Sequence, residues 1–146
     1  MKRFLKGICL VLTMSLLLSV PVMAAPQQEA GTYSSSYFAV LDYYLWLISD
    51  TQVQVWFEVT CGNGMDQLGA SLIKVQRSSD RTNWETMQTY TPEDNPQMLC
   101  PNTSAHSQCV TYTYTSGYYY RAFVTFYAKD NRGIGKYSVY TADMWL

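Results

Sequence analysis

Residues 117–135 read GYYYRAFVTFYAKDNRGIG, a stretch in which apolar and polar side chains alternate. Alternation with a period of two is typical of a β-strand, because successive side chains point to opposite faces of a sheet. The even positions between 118 and 128 carry no charge, whereas the odd positions include Arg121 and Lys129. We therefore expect the even positions to face the core. The odd, outward positions then carry three aromatic rings, those of Tyr119, Phe123 and Tyr127.

The clearest second strand covers residues 52–60, QVQVWFEVT, with valines and Phe57 on one side and Trp56 on the other. Similar runs predict strands over residues 37–48, 71–77, 84–90, 110–114 and 136–141. Glycines predict a loop over residues 61–69, and small polar residues predict a turn over residues 78–83. Prolines and low apolar content make residues 91–107 the longest predicted connection. About seven short strands separated by polar turns predict an all-β antiparallel sandwich.

The beginning of the chain has the order of a secretory signal peptide. Residues 1–6, MKRFLK, carry three positive charges, and an apolar run follows over residues 7–23. Val22 and Ala24 stand at the −3 and −1 positions of a cleavage site. We therefore expect a secreted protein, and an uncleaved membrane anchor is the alternative. The predicted parts are a signal peptide, a flexible leader and one β-sandwich domain, over residues 1–24, 25–36 and 37–146.

The charge balance bears on partners. The chain has 10 basic and 11 acidic residues, and removal of the signal peptide lowers the basic count to 7, a net charge near −4. No basic stripe remains in the sequence, so we expect no nucleic-acid partner. No second long apolar segment follows residue 24, so we expect no stable membrane span after cleavage.

Two sets of residues resemble known families. The pattern G-x-x-Y-x-A-x-V-x-F-x-A over residues 117–128, followed by a glycine-rich turn, resembles the last strands of fibronectin type III and other immunoglobulin-like domains. LGASLIKVQRSSDRTNWETMQT, within residues 66–89, and YYRAFVTFYA resemble a group of small secreted proteins of Gram-positive bacteria with no assigned activity. The resemblance implies an immunoglobulin-like, fibronectin type III-like β-sandwich.

Particular residues gain expected roles from this resemblance. Tyr120 matches the structural corner tyrosine, whose hydroxyl bonds back to the backbone. Two positions depart from the pattern. Phe57 stands where type III domains usually keep a buried tryptophan, and Ala122 stands where antibody domains place their second disulfide cysteine. The bridge between the two sheets of antibody domains is therefore not expected here.

Three cysteines follow the predicted signal peptide: Cys61, Cys100 and Cys109. In an oxidising compartment the expected disulfide joins Cys100 to Cys109 and closes the short segment CPNTSAHSQC. Spacing alone leaves the other two pairings open. Cys61 could also link two copies of the chain into a dimer.

No residue set predicts catalysis. His106, the only histidine, could complete a zinc site with the three cysteines, but no CxxC pair is present and exported thiols oxidise. We therefore expect His106 to be an exposed loop residue. The neighbours Glu93 and Asp94 do not face each other across a cleft as paired catalytic carboxylates do. We expect no enzyme activity, no catalytic residue, no metal site and no cofactor.

The outward aromatic residues Trp56, Phe123 and Tyr127 are the candidate ligand-binding residues. Such rings can stack on sugars or anchor a protein partner, unless residues 37–48 or 91–107 fold over them. The sequence thus favours a secreted, non-catalytic binding module for an unknown protein or polysaccharide. One alternative is a carbohydrate-binding surface module, which needs the three rings exposed and nearly coplanar. Another is a structural protein that self-associates through Cys61.

Overall fold

The computed structural model describes residues 36–146. This part is all-β with seven antiparallel strands, as the sequence predicts. The strands form one curled sheet, whereas the sequence predicted a sandwich of packed sheets. The strands are β1 (Phe38–Ser49), β2 (Gln52–Ser78), β3 (Glu85–Tyr90), β4 (Leu99–Thr113), β5 (Tyr119–Asp130), β6 (Gly133–Tyr140) and β7 (Met144–Trp145). The predicted signal peptide and all of the predicted leader except Ser36 lie outside the described residues. Across residues 36–146 no helix has the length and apolar character needed to cross a membrane.

The 27-residue strand β2 organises the sheet. Its first half pairs with β1 on one edge and with β4 on the other. Its second half pairs with β5 and β3, while β6 and β7 pair with β5. The loop predicted over residues 61–69 is therefore wrong, because the chain continues there as a strand.

Two features let β2 continue through this glycine-rich segment. The pairing of β2 with β4 shifts in register between Thr60 and Met65, so Gly62 and Gly64 lie in an irregular part of the strand. Gly69 has φ +153°, and a Cβ at this position would overlap the carbonyl oxygen of Met98. Glycine is thus required by the close approach of the two backbones.

The core lies on the inner side of this curled sheet. Val53, Val55, Phe57 and Val59 of β2 are fully buried, and so are the even positions of β5 from Tyr120 to Ala128. This confirms both core faces predicted from alternation, while Tyr118, just before β5, is only half-buried. The ring of Phe57 packs edge-on against Phe126, with centroids 6.2 Å apart. The first half of β2 therefore packs against β5 across the core.

Strand β4 replaces most of the connection predicted over residues 91–107. Only residues 91–98 connect β3 to β4, and they include a short 3₁₀ turn, Pro96–Met98. From Leu99 onward the chain pairs with β2, first opposite Gly69. Among the described strands β4 pairs with β2 alone, and an edge strand tolerates exposed polar residues and proline. This is why its composition suggested a loop.

Tyr120 anchors the turn that leads into β5. Its side chain is fully buried, and its hydroxyl donates to the carbonyl oxygen of Thr115 at 2.9 Å. The same hydroxyl accepts from the backbone N–H of Thr115 at 3.1 Å. The ring packs against Tyr112 of β4 and against Tyr114, just after this strand. One buried side chain therefore ties the end of β4 to the start of β5.

The turn between β2 and β3 is held by Asp80. Its carboxylate accepts hydrogen bonds from the backbone N–H groups of Asn83 and Thr82, each at 2.8 Å. The side chains of Asn83 and Ser78 also donate to it. These bonds, the one from the Asn83 backbone above all, hold the pKa of Asp80 far below its usual range. The turn predicted over residues 78–83 is confirmed.

Candidate functional site

Trp56 lies on the outer side of the first half of β2. It stands opposite Tyr44 of β1 and Cys109 of β4. Its ring stacks on Tyr44, with centroids 4.8 Å apart and planes 22° apart. Trp46 packs edge-on against Tyr44, and its indole N–H donates to Oε1 of Gln54 at 3.0 Å. We call Tyr44, Trp46 and Trp56 the β1 aromatic patch.

Two rings of the β1 aromatic patch are exposed, Trp56 is half-buried, and the patch borders on acidic groups. Tyr44 is 42 % exposed and Trp46 is 47 % exposed. In the next outward row of the sheet, Asp42 stands opposite Glu58. Two neighbouring carboxylates repel an approaching negative charge, so this side of the molecule is a poor surface for an anion.

Phe123 and Tyr127 lie on the outer side of β5. Phe123 stands between Lys74 of β2 and Tyr140 of β6, and its ring centroid lies 4.9 Å from that of Tyr140. Tyr127 stands opposite Lys136 of β6, whose Nζ lies 5.8 Å from the ring centroid. We call these five residues the β5 outer surface. The outward direction predicted for Phe123 and Tyr127 agrees with this register.

Arg121 makes one end of the β5 outer surface rigid. Its guanidinium lies between the rings of Trp84 and Tyr140, 4.0 Å from each centroid. Its Nε donates to Oε1 of Gln76 at 2.9 Å. Burial lowers the pKa of this guanidinium, which stays charged at any ordinary pH. Alternation predicts that Arg121 points outward, but no pattern in the sequence predicts its contact with Trp84, which lies just after the turn that follows β2.

The structure does not bring the three candidate ligand residues together. Phe57 and Phe126 point toward each other across the core. Successive side chains of a strand point to opposite faces of the sheet. Trp56, next to Phe57, and Tyr127, next to Phe126, therefore point away from the core in opposite directions. Trp56 therefore belongs to a different surface from Phe123 and Tyr127. A single flat platform made of all three rings is excluded.

The disulfide expected between Cys100 and Cys109 does not fit this fold. Both residues lie on β4, opposite Leu68 and Trp56 of β2. A strand advances about 3.3 Å per residue, so nine positions of a fully extended strand span up to about 30 Å. A disulfide needs Cα atoms within about 7 Å. The prediction failed because the segment between them is a strand and not a closed loop.

All three described cysteines are free thiols. Cys61 is buried at the end of the pairing between β1 and β2, opposite Phe38. Burial, and then the negative charge of Asp130, raise the pKa of the Cys61 thiol. A buried thiol is badly placed to reach a second chain. The predicted Cys61-linked dimer therefore gains no support from this position.

His106 is not the exposed loop residue that the sequence suggested. It lies on β4, half-buried, with its ring edge-on to Phe57 at 5.9 Å. Its Nε2 lies 2.9 Å from the carbonyl oxygen of Gln97. Across residues 36–146 no three His, Cys, Asp or Glu side chains are grouped so that they could hold a metal ion. The four residues weighed as a zinc site are thus not brought together.

Comparison with known proteins does not assign the chain to a family. No protein family matches the chain, and no curated protein sequence is significantly similar to it. The resemblance to secreted proteins of Gram-positive bacteria therefore stays a prediction.

Proposed function

We propose that this chain is a secreted, non-catalytic binding module that holds an anionic polysaccharide on the β5 outer surface. The observation that carries the proposal is the pairing of rings and cations. Phe123 stands beside Lys74, and Tyr127 stands beside Lys136, in a protein whose predicted exported form is acidic. Rings offer apolar faces for sugars, and lysines attract carboxylate or sulfate groups.

The spacing of the two rings favours a polymer. Phe123 and Tyr127 are four positions apart on β5, which corresponds to about 13 Å along the strand. A chain of sugar rings can cover this span, whereas a single sugar contacts only one ring. Between them the hydroxyls of Thr125 and Ser138 lie 3.0 Å apart on the same face. These hydroxyls can also bond to sugar hydroxyl groups.

Rigidity supports binding at this surface. The stack of Trp84, Arg121 and Tyr140 fixes the ring that packs beside Phe123. A surface that is already ordered loses little conformational entropy when it binds. The β1 aromatic patch is more exposed but is bordered by Asp42 and Glu58. This makes it the less favourable side for an anionic ligand.

The absence of catalysis belongs to the same proposal. A general base needs a partner that orients it and a nucleophile within hydrogen-bond reach. The ring of His106 instead contacts the backbone carbonyl of Gln97 and the ring of Phe57. Glu93 and Asp94 are adjacent in the connection between β3 and β4 and are exposed.

The proposal includes an immunoglobulin-like sandwich fold and export by a signal peptide. The hydroxyl of Tyr120 bonds back to the backbone of Thr115, as expected of a corner tyrosine. The contact of Phe57 with Phe126 supports two packed layers. Residues 1–24 support export through their sequence alone.

The test is isothermal titration calorimetry with polygalacturonate, using its methyl ester as a neutral ligand of the same backbone. We expect binding to the acid form only. Truncating an aromatic residue at the centre of a binding site costs about 2 kcal/mol, or roughly thirtyfold in affinity. We therefore expect this loss in Phe123→Ala and in Tyr127→Ala. Trp56→Ala, which removes a ring from the other surface, should bind as the unmodified protein does.

The salt dependence of binding distinguishes the contribution of charge from that of ring stacking. We expect Lys136→Ala to weaken binding about threefold to fivefold at low salt, with the difference disappearing near 1 M salt. Circular dichroism must show that every variant is folded. Equal binding of the acid and its methyl ester would overturn the anionic part of the proposal. Unchanged binding in folded Phe123→Ala and Tyr127→Ala would overturn the site.

A further inference from the structure

One edge of β1 has no partner among the described strands. β1 pairs with β2 from Phe38 to Ser49 along a single edge. The opposite edge of a strand presents unpaired backbone N–H and C=O groups, which can pair with another chain. We call this the free β1 edge.

The free β1 edge lacks the protection that other edges of this sheet carry. Proteins blunt exposed edges with lysine, proline or short strands. Here β6 carries Lys136, β4 carries Pro101, and β3 has six residues. By contrast β1 has twelve residues, no proline and no basic residue, and Asp42 is its one charge.

Exposed apolar side chains are concentrated on β1. Seven large apolar side chains are exposed within the described part of the chain, and five of them belong to this strand. They are Val40, Tyr44, Trp46, Leu47 and Ile48, each between 42 % and 48 % exposed. An exposed apolar cluster of this kind marks an interaction surface. An edge with free backbone groups and apolar side chains is suited to pairing with another strand.

We propose that the free β1 edge pairs with β1 of a second copy of this chain, antiparallel, with the two Tyr44 residues opposite each other at the two-fold axis. In this register Val40 lies opposite Ile48 of the partner subunit, and Leu41 lies opposite Leu47 of the partner subunit. Asp42 lies opposite Trp46 of the partner subunit. The strand is thus self-complementary, as a two-fold interface requires.

Charge and area both favour a second copy. In this register the Asp42 carboxylates of the two subunits are offset by four positions, about 13 Å, which exceeds the Debye length of about 8 Å at physiological salt. Complete burial of an aromatic side chain removes about 150–250 Å², so each half-exposed ring offers roughly 80–120 Å², and the aliphatic side chains offer somewhat less. Five side chains from each copy, with the strand backbones, give roughly 1,200 Å², the lower end of the range for specific interfaces. We therefore expect a dimer of moderate affinity.

This proposal does not depend on polysaccharide binding, because the β5 outer surface is on another part of the sheet. The first measurement is the mass of the purified protein in solution, by light scattering after gel filtration from 1 to 200 µM. We expect a dimer at the upper concentrations. Tyr44→Lys places two ammonium groups opposite each other at the axis and should raise the dissociation constant at least tenfold. Phe123→Lys adds the same charge elsewhere and should leave it unchanged.

A cysteine pair tests the register. In a background with Cys100→Ser and Cys109→Ser, we expect Tyr44→Cys to form a disulfide-linked dimer under mild oxidation. Asp42→Cys should not, because its two copies are offset by four positions. A protein that stays monomeric at 200 µM would overturn the proposal without reference to any variant. Equal crosslinking through positions 42 and 44 would overturn the register.

Discussion

Tyr120→Phe tests whether one buried hydroxyl joins β4 to β5. The substitution keeps the ring and its contacts with Tyr112 and Tyr114, at 6.1 and 6.0 Å. It removes two hydrogen bonds and leaves the N–H and C=O groups of Thr115 without that partner. Each net hydrogen bond contributes about 0.5–1.5 kcal/mol, so we expect the free energy of unfolding to fall by about 1–3 kcal/mol.

Urea unfolding followed by tryptophan fluorescence measures this loss, since the chain has four tryptophans. For a domain of this size the urea slope is near 1.5 kcal/mol per M, so the midpoint should fall by roughly 1 M at constant slope. Tyr44→Phe is the matched control. It removes the hydroxyl of a tyrosine that is 42 % exposed, and it should leave the midpoint unchanged. If Tyr120→Phe also leaves the midpoint unchanged, the hydroxyl does not hold this turn.

Two further predictions concern the turn of Asp80 and the approach of two strands. Hydrogen bonds, the one from the Asn83 backbone above all, lower the pKa of Asp80 in the folded state below its value in the unfolded chain. Ionised Asp80 should therefore stabilise the fold above about pH 4. This contribution should be lost as the pH falls further, and Asp80→Ala should lower the melting temperature at pH 7 more than at pH 2.5. Gly69→Ala should cost about 1–3 kcal/mol in urea unfolding, because its Cβ would overlap the Met98 carbonyl at a positive φ. Gly62→Ala has open space at its Cβ and should be nearly neutral, so equal effects of the two would contradict the argument.

Much of the fold follows from alternation because one side of each core strand is buried. The valines around Phe57 and the even positions after Tyr120 were assigned to the core for this reason, and both sets are buried. The turn at Asp80 was predicted because small polar side chains bond to their own backbone. Local chemistry decides these features, so the sequence alone contains enough information.

What the sequence did not predict depends on partners distant in the chain. β2 continues through a glycine-rich segment because that segment pairs with β4, with Gly69 lying against Met98. The first part of β4 is a polar strand because it pairs opposite β2 on one side only. Trp84 and Arg121 meet across a turn and a strand, and no periodicity relates them. Composition therefore predicted loops where β2 and β4 form strands. It also gave no sign that Trp84 and Arg121 belong to one stack.

The aromatic residues of the β5 outer surface could be predicted from the sequence, whereas the free β1 edge could not. Phe123 and Tyr127 were identified as outward from alternation, and their register agrees. The positions of Lys74 and Lys136 beside these rings depend on the pairing of β2 and β6 with β5, which the sequence does not specify. The unpaired edge of β1 could not be inferred from the sequence, since a central strand has the same apolar composition.

The continuity of β2 also bears on how the fold forms and opens. Its backbone pairs with β1, β3, β4 and β5, and Gln52 already pairs with Thr113, far along the chain. Such high contact order predicts slow folding, because distant segments must meet before most of the pairing exists. Neither half of the sheet can open alone without releasing the strand that both halves share. The amide hydrogens of Val55 and Val75 should therefore exchange with deuterium at similar rates, through one cooperative opening of the whole fold.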